Sequence, residues 1–118
     1  MNKIIEHPGN GVDFPKIGDY VKLNLVIYDT NRNILFNSKE ITHKSCLEIR
    51  YKTPESNFLT ELEDLIGEMS LYEKCLLIMD KSNERSLIES ELISELVKNY
   101  KEITFEIEIV DINKNSHY

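Results

Sequence analysis

The 118-residue chain has no apolar run approaching the roughly 18 residues that a transmembrane helix needs, so no membrane partner is expected. Met1 to His7 lacks the apolar core of about 7 to 15 residues found in secretory signals, and no small-residue cleavage pattern follows it. A cytoplasmic or nuclear location is the resulting expectation. Metal-binding residues are few: two cysteines and three histidines. Zinc takes four clustered ligands, whereas His7, His43, His117, Cys46 and Cys75 form no C-x-x-C or H-x-x-x-H arrangement, so neither a metal nor a cofactor is expected. Cys46 and Cys75 lie in apolar strand-like runs and read as small buried hydrophobes. Positive charge is in deficit too, with 14 Lys and Arg against 21 Asp and Glu and a net charge of −7. Such a surface repels phosphate and gains nothing from counterion release, which argues against a nucleic-acid partner. Internal repeats and low-complexity tracts are also missing.

What is present suits a single hydrophobic core. With 41% hydrophobic and 30% charged residues, the composition is that of an ordinary globular protein, and the length suits one domain rather than two. The expected domain covers residues 1–112, with 113–118 as a frayed tail. From Tyr20 to Tyr28, Val21, Leu23, Leu25 and Ile27 are apolar while Lys22 and Asn24 face the other way, the period-2 pattern of a half-buried strand. Asp29 to Asn33 reads as a hairpin loop, Ile34-Leu35-Phe36 resumes a strand, and Asn37-Ser38 ends it. Leu47 to Tyr51 alternates again before Pro54 forbids a continuing central strand.

Phe58, Leu59, Leu62, Leu65, Ile66 and Met69 fall on one helical stripe, with Glu61, Glu63, Asp64 and Glu68 on the remaining face and Ser56 or Asn57 able to cap the first turn. Glu73 to Asp80 reads as a buried strand, apolar on both faces at its centre. Ser86 and Glu89 have capping-box spacing, and Ile88, Leu92, Ile93, Leu96 and Val97 continue at helical spacing, predicting a second helix over 86–99. Glu84, Glu89, Glu91 and Glu95 read as its solvated face. Ile103, Phe105, Ile107 and Ile109 then alternate with Thr104, Glu106 and Glu108 in a last strand. The order β, β, β, α, β, α, β indicates an α+β domain, a sheet wrapped around one helix.

Four stretches together resemble one known family. Pro8-Gly9-Asn10-Gly11 through Phe14-Pro15-Lys16-Ile17-Gly18-Asp19 resembles the opening of FKBP-type peptidyl-prolyl cis-trans isomerases, a Gly-rich turn and a Pro-Lys-x-Gly turn leading into the first long strand. Leu35-Phe36-Asn37-Ser38 resembles the family's Phe-Asp-Ser strand end, and Gly67 to Lys74 its Met-x-x-Gly-Glu-Lys turn. Ile103 to Ile109 resembles its final Phe-x-Val-Glu-Leu strand. Coverage runs from about Glu6 to Ile112. The implied architecture is a curved antiparallel sheet around one central helix, with the 86–99 helix standing where the family has a Gly/Pro-rich loop before the last strand. That loop carries a ligand-binding tyrosine in the family; here the segment has no glycine or proline, and its one tyrosine, Tyr100, abuts the last strand.

The resemblance also implies a shallow apolar pocket that grips a proline ring between sheet and helix. The chemistry needs no nucleophile: rotation about an X-Pro bond is opposed by a resonance barrier of roughly 18 to 20 kcal/mol. A pocket lowers it by excluding water and holding the twisted amide. Carried over residue by residue, the pocket comprises Leu25, Phe36, Asn37, Leu47, Ile49, Phe58, Leu59, Leu62 and Phe105. Leu25 stands where the family has a tyrosine, Asn37 where it has an aspartate, and Leu62 where it has the tryptophan of the pocket floor. None of these is assigned a catalytic role. Three functions follow as expectations. The first is an FKBP-like binding domain for a proline-containing peptide or protein, with chaperone machinery as a partner and with weak or no isomerase activity. The others are an active isomerase that assists folding and a structural module of a larger co-chaperone.

Overall fold

The computed structural model describes residues 2–41, 46–53, 60–80 and 102–114. The expected 86–99 helix, and Phe58 and Leu59 at the start of the expected first helix, lie outside the described residues. Within them the elements are β1 (Asn2–Pro8), β2 (Tyr20–Tyr28), β3 (Ile34–Asn37), α1 (Ser38–Ile41), β4 (Leu47–Arg50), α2 (Thr60–Gly67), β5 (Glu73–Asp80) and β6 (Glu102–Asn113). The strands form one antiparallel sheet in the order β1-β5-β6-β2-β3. β4 pairs with Tyr20 to Leu23 of β2 and β3 with Val26 to Tyr28. Since β6 occupies the other side of β2, one sheet edge consists of two short strands placed end to end.

The alternating runs became the strands they predict, with β2 and β5 at the expected bounds. β6 is longer than the Ile103 to Ile109 run and continues through Asn113, after a register shift between Lys22 and Leu23 of β2. β1 has no signal of this kind. Ile4 and Ile5 are adjacent rather than alternating, and both are exposed on an edge strand. Where neither face is buried, no period-2 pattern is selected. α1 was not expected either; Asn37 starts it, its Oδ1 accepting the Lys39 N–H at 3.0 Å. In α2 the last turn tightens through Glu68 N–H to Leu65 O and Met69 N–H to Ile66 O, both 3.0 Å, so Met69 is buried beyond the helix end rather than within it.

One face of the sheet carries the core. Residues directly paired across antiparallel strands share a face, so Leu77, Phe105, Ile27 and Phe36 form a continuous row across β5, β6, β2 and β3. Cys75, Ile107 and Leu25 form the next row, and Leu23 with Ile109 and Leu47 another. Leu62, Leu65 and Ile66 of α2 are buried in the same cluster. Cys75 is fully buried as expected, whereas Cys46 is only half-buried, just before β4.

The opening run is tied to the turn that precedes β5. Asn10 N–H donates to Leu71 O (2.9 Å), Leu71 N–H to Asp13 O (2.8 Å), and Ser70 Oγ to Pro8 O (3.1 Å). Gly9, at φ 72°, has no room for a side chain: a Cβ there would lie 2.8 Å from both Glu73 N and Leu71 O and closer still to Ser70 Oγ. Lys114, one residue past β6, donates from Nζ to Phe14 O (2.9 Å) and to the buried Asp19 carboxylate (3.0 Å).

Candidate functional site

The described pocket candidates fall into three groups. Leu25, Phe36, Ile49, Leu62 and Phe105 belong to one buried cluster. Leu25 stands beside Ile107, Phe36 and Phe105 flank Ile27 on either side, and Ile49 stands opposite Val21. Leu62 reaches the cluster from α2 and is fully buried, as is Phe105. Leu47, opposite Leu23, packs at the margin of the cluster. Asn37 is separate: it pairs with Val26, so strand alternation puts it on the face opposite Phe36, and its Oδ1 is engaged by the Lys39 N–H.

Two buried polar ties that the sequence did not mark frame this cluster. Where β3 ends and β4 has not begun, β2 lacks an edge partner. There the fully buried Ser38 Oγ accepts the Leu25 N–H at 3.0 Å, in place of a strand carbonyl. The second tie holds α2. The buried Glu63 carboxylate accepts the Lys52 N–H at 2.7 Å, and the Lys52 ammonium reaches Asp64 at 2.9 Å. Beside it the Tyr51 ring packs so closely on Gly67 that a Cβ there would overlap its hydroxyl. Burial pushes the Tyr51 phenol above its ordinary value. A serine after a strand end and a glutamate on a helix are common on surfaces, so neither residue type signals burial in sequence.

The pocket candidates themselves carry no acid, base or nucleophile, although the same buried cluster holds the Tyr51 phenol and the Cys75 thiol. On the opposite sheet face Glu106 accepts from Lys74 Nζ (2.6 Å) and from the Tyr28 hydroxyl (2.7 Å). Burial pushes the Glu106 carboxyl up, but these hydrogen bonds and the Lys74 charge more than offset it and hold the group below its usual range. The Cys75 thiol is pushed up to about 12, chiefly by burial and then by the neighbouring Glu73 carboxylate. Among the described residues no three His, Cys, Asp or Glu side chains converge as metal ligands. Nor is any helix among the described residues long and apolar enough to cross a membrane.

The fold as a whole is matched by solved structures. A peptidyl-prolyl cis-trans isomerase from Pseudomonas syringae superposes with a TM-score of 0.66 at 16% identity, covering 95% of this chain and 74% of that one. The N-terminal domain of FKBP42 from Arabidopsis thaliana gives 0.63 at 15% identity, covering 95% and 85%. The chain has the fold of the FKBP-type isomerases. FkpA from Escherichia coli shares that FKBP fold, with a TM-score of 0.63 at 15% identity; this chain is covered over 94% and spans 47% of FkpA. No protein-family model matches the sequence, and no curated protein matches it. At these identities the FKBP fold is what is shared.

Proposed function

We propose that the chain is an FKBP-like domain that binds a proline-containing peptide or protein at the apolar end of its core, with little or no isomerase turnover. The observation that supports low turnover is that Leu25, Phe36, Leu62 and Phe105 are packed into the core itself, with Asn37 on the opposite face and its Oδ1 accepting the Lys39 N–H; the binding half rests on the fold shared with solved isomerases. Leucine in place of the family's tyrosine and tryptophan keeps the site apolar while removing the ring surface and hydroxyl that would grip a twisted amide. The sheet is taken to wrap α2 as in the FKBP fold, with the 86–99 segment as an added helix in place of the usual loop. A cytoplasmic chain that meets chaperone machinery is the setting this reading implies.

Titration of 15N-labelled protein with an Ala-Pro-Phe peptide tests the binding half. Amide shifts clustered on Leu25, Phe36, Ile49 and Phe105 are expected, at millimolar to high-micromolar affinity. Shifts scattered over the surface, or none, would sink the reading. Leu62→Trp, which restores the floor ring at the cost of overpacking a full site, should tighten binding if it folds; its melting temperature reports whether it does.

A further inference from the structure

Asparagine followed by glycine is the pair most prone to deamidate, because glycine has no side chain to keep its backbone nitrogen away from the neighbouring carboxamide. Asn10-Gly11 is the one such pair in the chain, and both residues are exposed to water. The loop after β1 needs both of them. Gly11 sits at φ 67°, a left-handed backbone that glycine adopts freely. Asn10 folds its side chain over the turn: its Oδ1 accepts the Val12 N–H at 2.9 Å and the Asp13 N–H at 3.1 Å, and its Nδ2 donates to the Asp13 carboxylate at 2.8 Å. The turn and its chemical weakness thus come from the same two residues.

Deamidation begins with attack of the Gly11 backbone nitrogen on Asn10 Cγ. The nitrogen loses its proton to hydroxide, the Cγ–Nδ2 bond breaks, and Nδ2 takes a proton from water and leaves as ammonia. Water then opens the succinimide ring at either carbonyl, giving aspartate or isoaspartate at position 10, so that water is consumed and ammonia released. In the folded loop both reacting groups are tied down. The Gly11 N–H donates at 3.0 Å to the Oγ of Ser70, which is fully buried and gives its own proton to Pro8 O. Hydroxide reaches the Gly11 proton only when the loop lets go of Ser70. The Asn10 carboxamide turns toward Gly11 only when its three hydrogen bonds break. Neither product restores these contacts. Aspartate sets a second carboxylate against Asp13 where the Nδ2 donor stood, a like-charge pair. Isoaspartate adds a backbone atom between the Asn10 N–H, bound to Leu71 O at 2.9 Å, and Asp13 O, which accepts the Leu71 N–H at 2.8 Å.

We infer that Asn10-Gly11 is a self-modification site, held unreactive by Ser70 and Asp13, and that its deamidation unfastens the opening run from the turn before β5. The test follows deamidation in mildly alkaline buffer by mass spectrometry of the tryptic peptide Ile4–Lys16, with a synthetic peptide of that sequence as the unlocked reference. The folded protein reacts at least about tenfold more slowly than the peptide, since attack waits for local opening. Ser70→Ala frees the Gly11 N–H without altering the peptide and speeds the folded protein at least about threefold. Asp13→Ala, an exposed change measured against its own peptide, narrows the gap between protein and peptide as a second variant. Ser38→Ala, at the opposite edge of the sheet, weakens the fold without speeding the reaction, which separates local opening from global unfolding. Asn10→Asp, the aspartyl product made directly, melts lower than the parent. Equal rates in protein and peptide, no gain in Ser70→Ala or Asp13→Ala, the same gain in Ser38→Ala, or an unchanged melting temperature in Asn10→Asp would each overturn the inference.

Discussion

At the residue scale the clearest chemistry lies on the sheet face away from the core. Glu106 is held below its ordinary value near 4.5, and Lys74 above 10.5, through their mutual hydrogen bond and charge. A depressed carboxylate contributes stability that is present above the unfolded value and lost as pH falls through the folded one. Glu106→Gln should therefore be less stable than the parent by about 1 kcal/mol at pH 7. In urea unfolding the gap should close as pH drops below 4.5. The raised Lys74 works in the opposite window, its share being lost only as pH rises beyond 10.5. A gap that stays constant down to pH 3 would remove Glu106 from the account. The two cysteines differ in the same residue-level way: at pH 8 iodoacetamide should label Cys46 in the native protein and reach Cys75 only in denaturant, because burial and Glu73 hold the Cys75 thiol near 12. Mass spectrometry of the labelled peptides decides it.

At the element scale the sheet depends on how its split edge is closed. Ser38→Ala leaves the buried Leu25 N–H without its acceptor, and a loss of about 1–3 kcal/mol is expected in denaturant unfolding. Gly9→Ala should cost at least as much, since it combines a left-handed backbone with contacts to Ser70, Leu71 and Glu73. A neutral Gly9→Ala would show that the opening turn is not fixed as described. Both residues sit in stretches whose order along the chain was enough to suggest the fold. β2 and β6 were legible because one face is buried and the other is not, which writes a period of two into the sequence; β5 was legible only as a continuous apolar run expected to be buried on both faces, whereas Cys75, Leu77 and Met79 are buried and Leu76 and Ile78 are half-buried. β1 was not legible, because an exposed edge strand is held by backbone pairing to β5 that no side-chain pattern records. α1 escaped notice since four residues are too few to show a helical period. The helix α2 ends earlier than its apolar stripe, because Met69 stays in the core after the chain has left the helix.

At the scale of the whole molecule, scaffold and site separate. The turns that launch the sheet, the Gly9 loop and the Asp19 carboxylate held by Lys114, are built into the FKBP fold here at 15% to 16% identity to its solved relatives. The pocket candidates were legible as apolar positions, and five of them lie in the buried core cluster. How deeply they are buried was not legible, because burial of Leu25 and Leu62 depends on residues far apart in sequence, and the role of Asn37 as a helix cap depends on a helix too short to foresee. The central claim is that this chain keeps the scaffold with little of the catalysis. Exchange spectroscopy of cis-trans interconversion in an Ala-Pro-Phe peptide measures that directly, without a coupling protease. Catalysis by an intact pocket, about a thousandfold, needs about 4 kcal/mol of differential binding; the account predicts less than about a tenfold acceleration at equal protein and peptide, corresponding to less than about 1.4 kcal/mol. An acceleration of a hundredfold or more by the wild-type chain would contradict it.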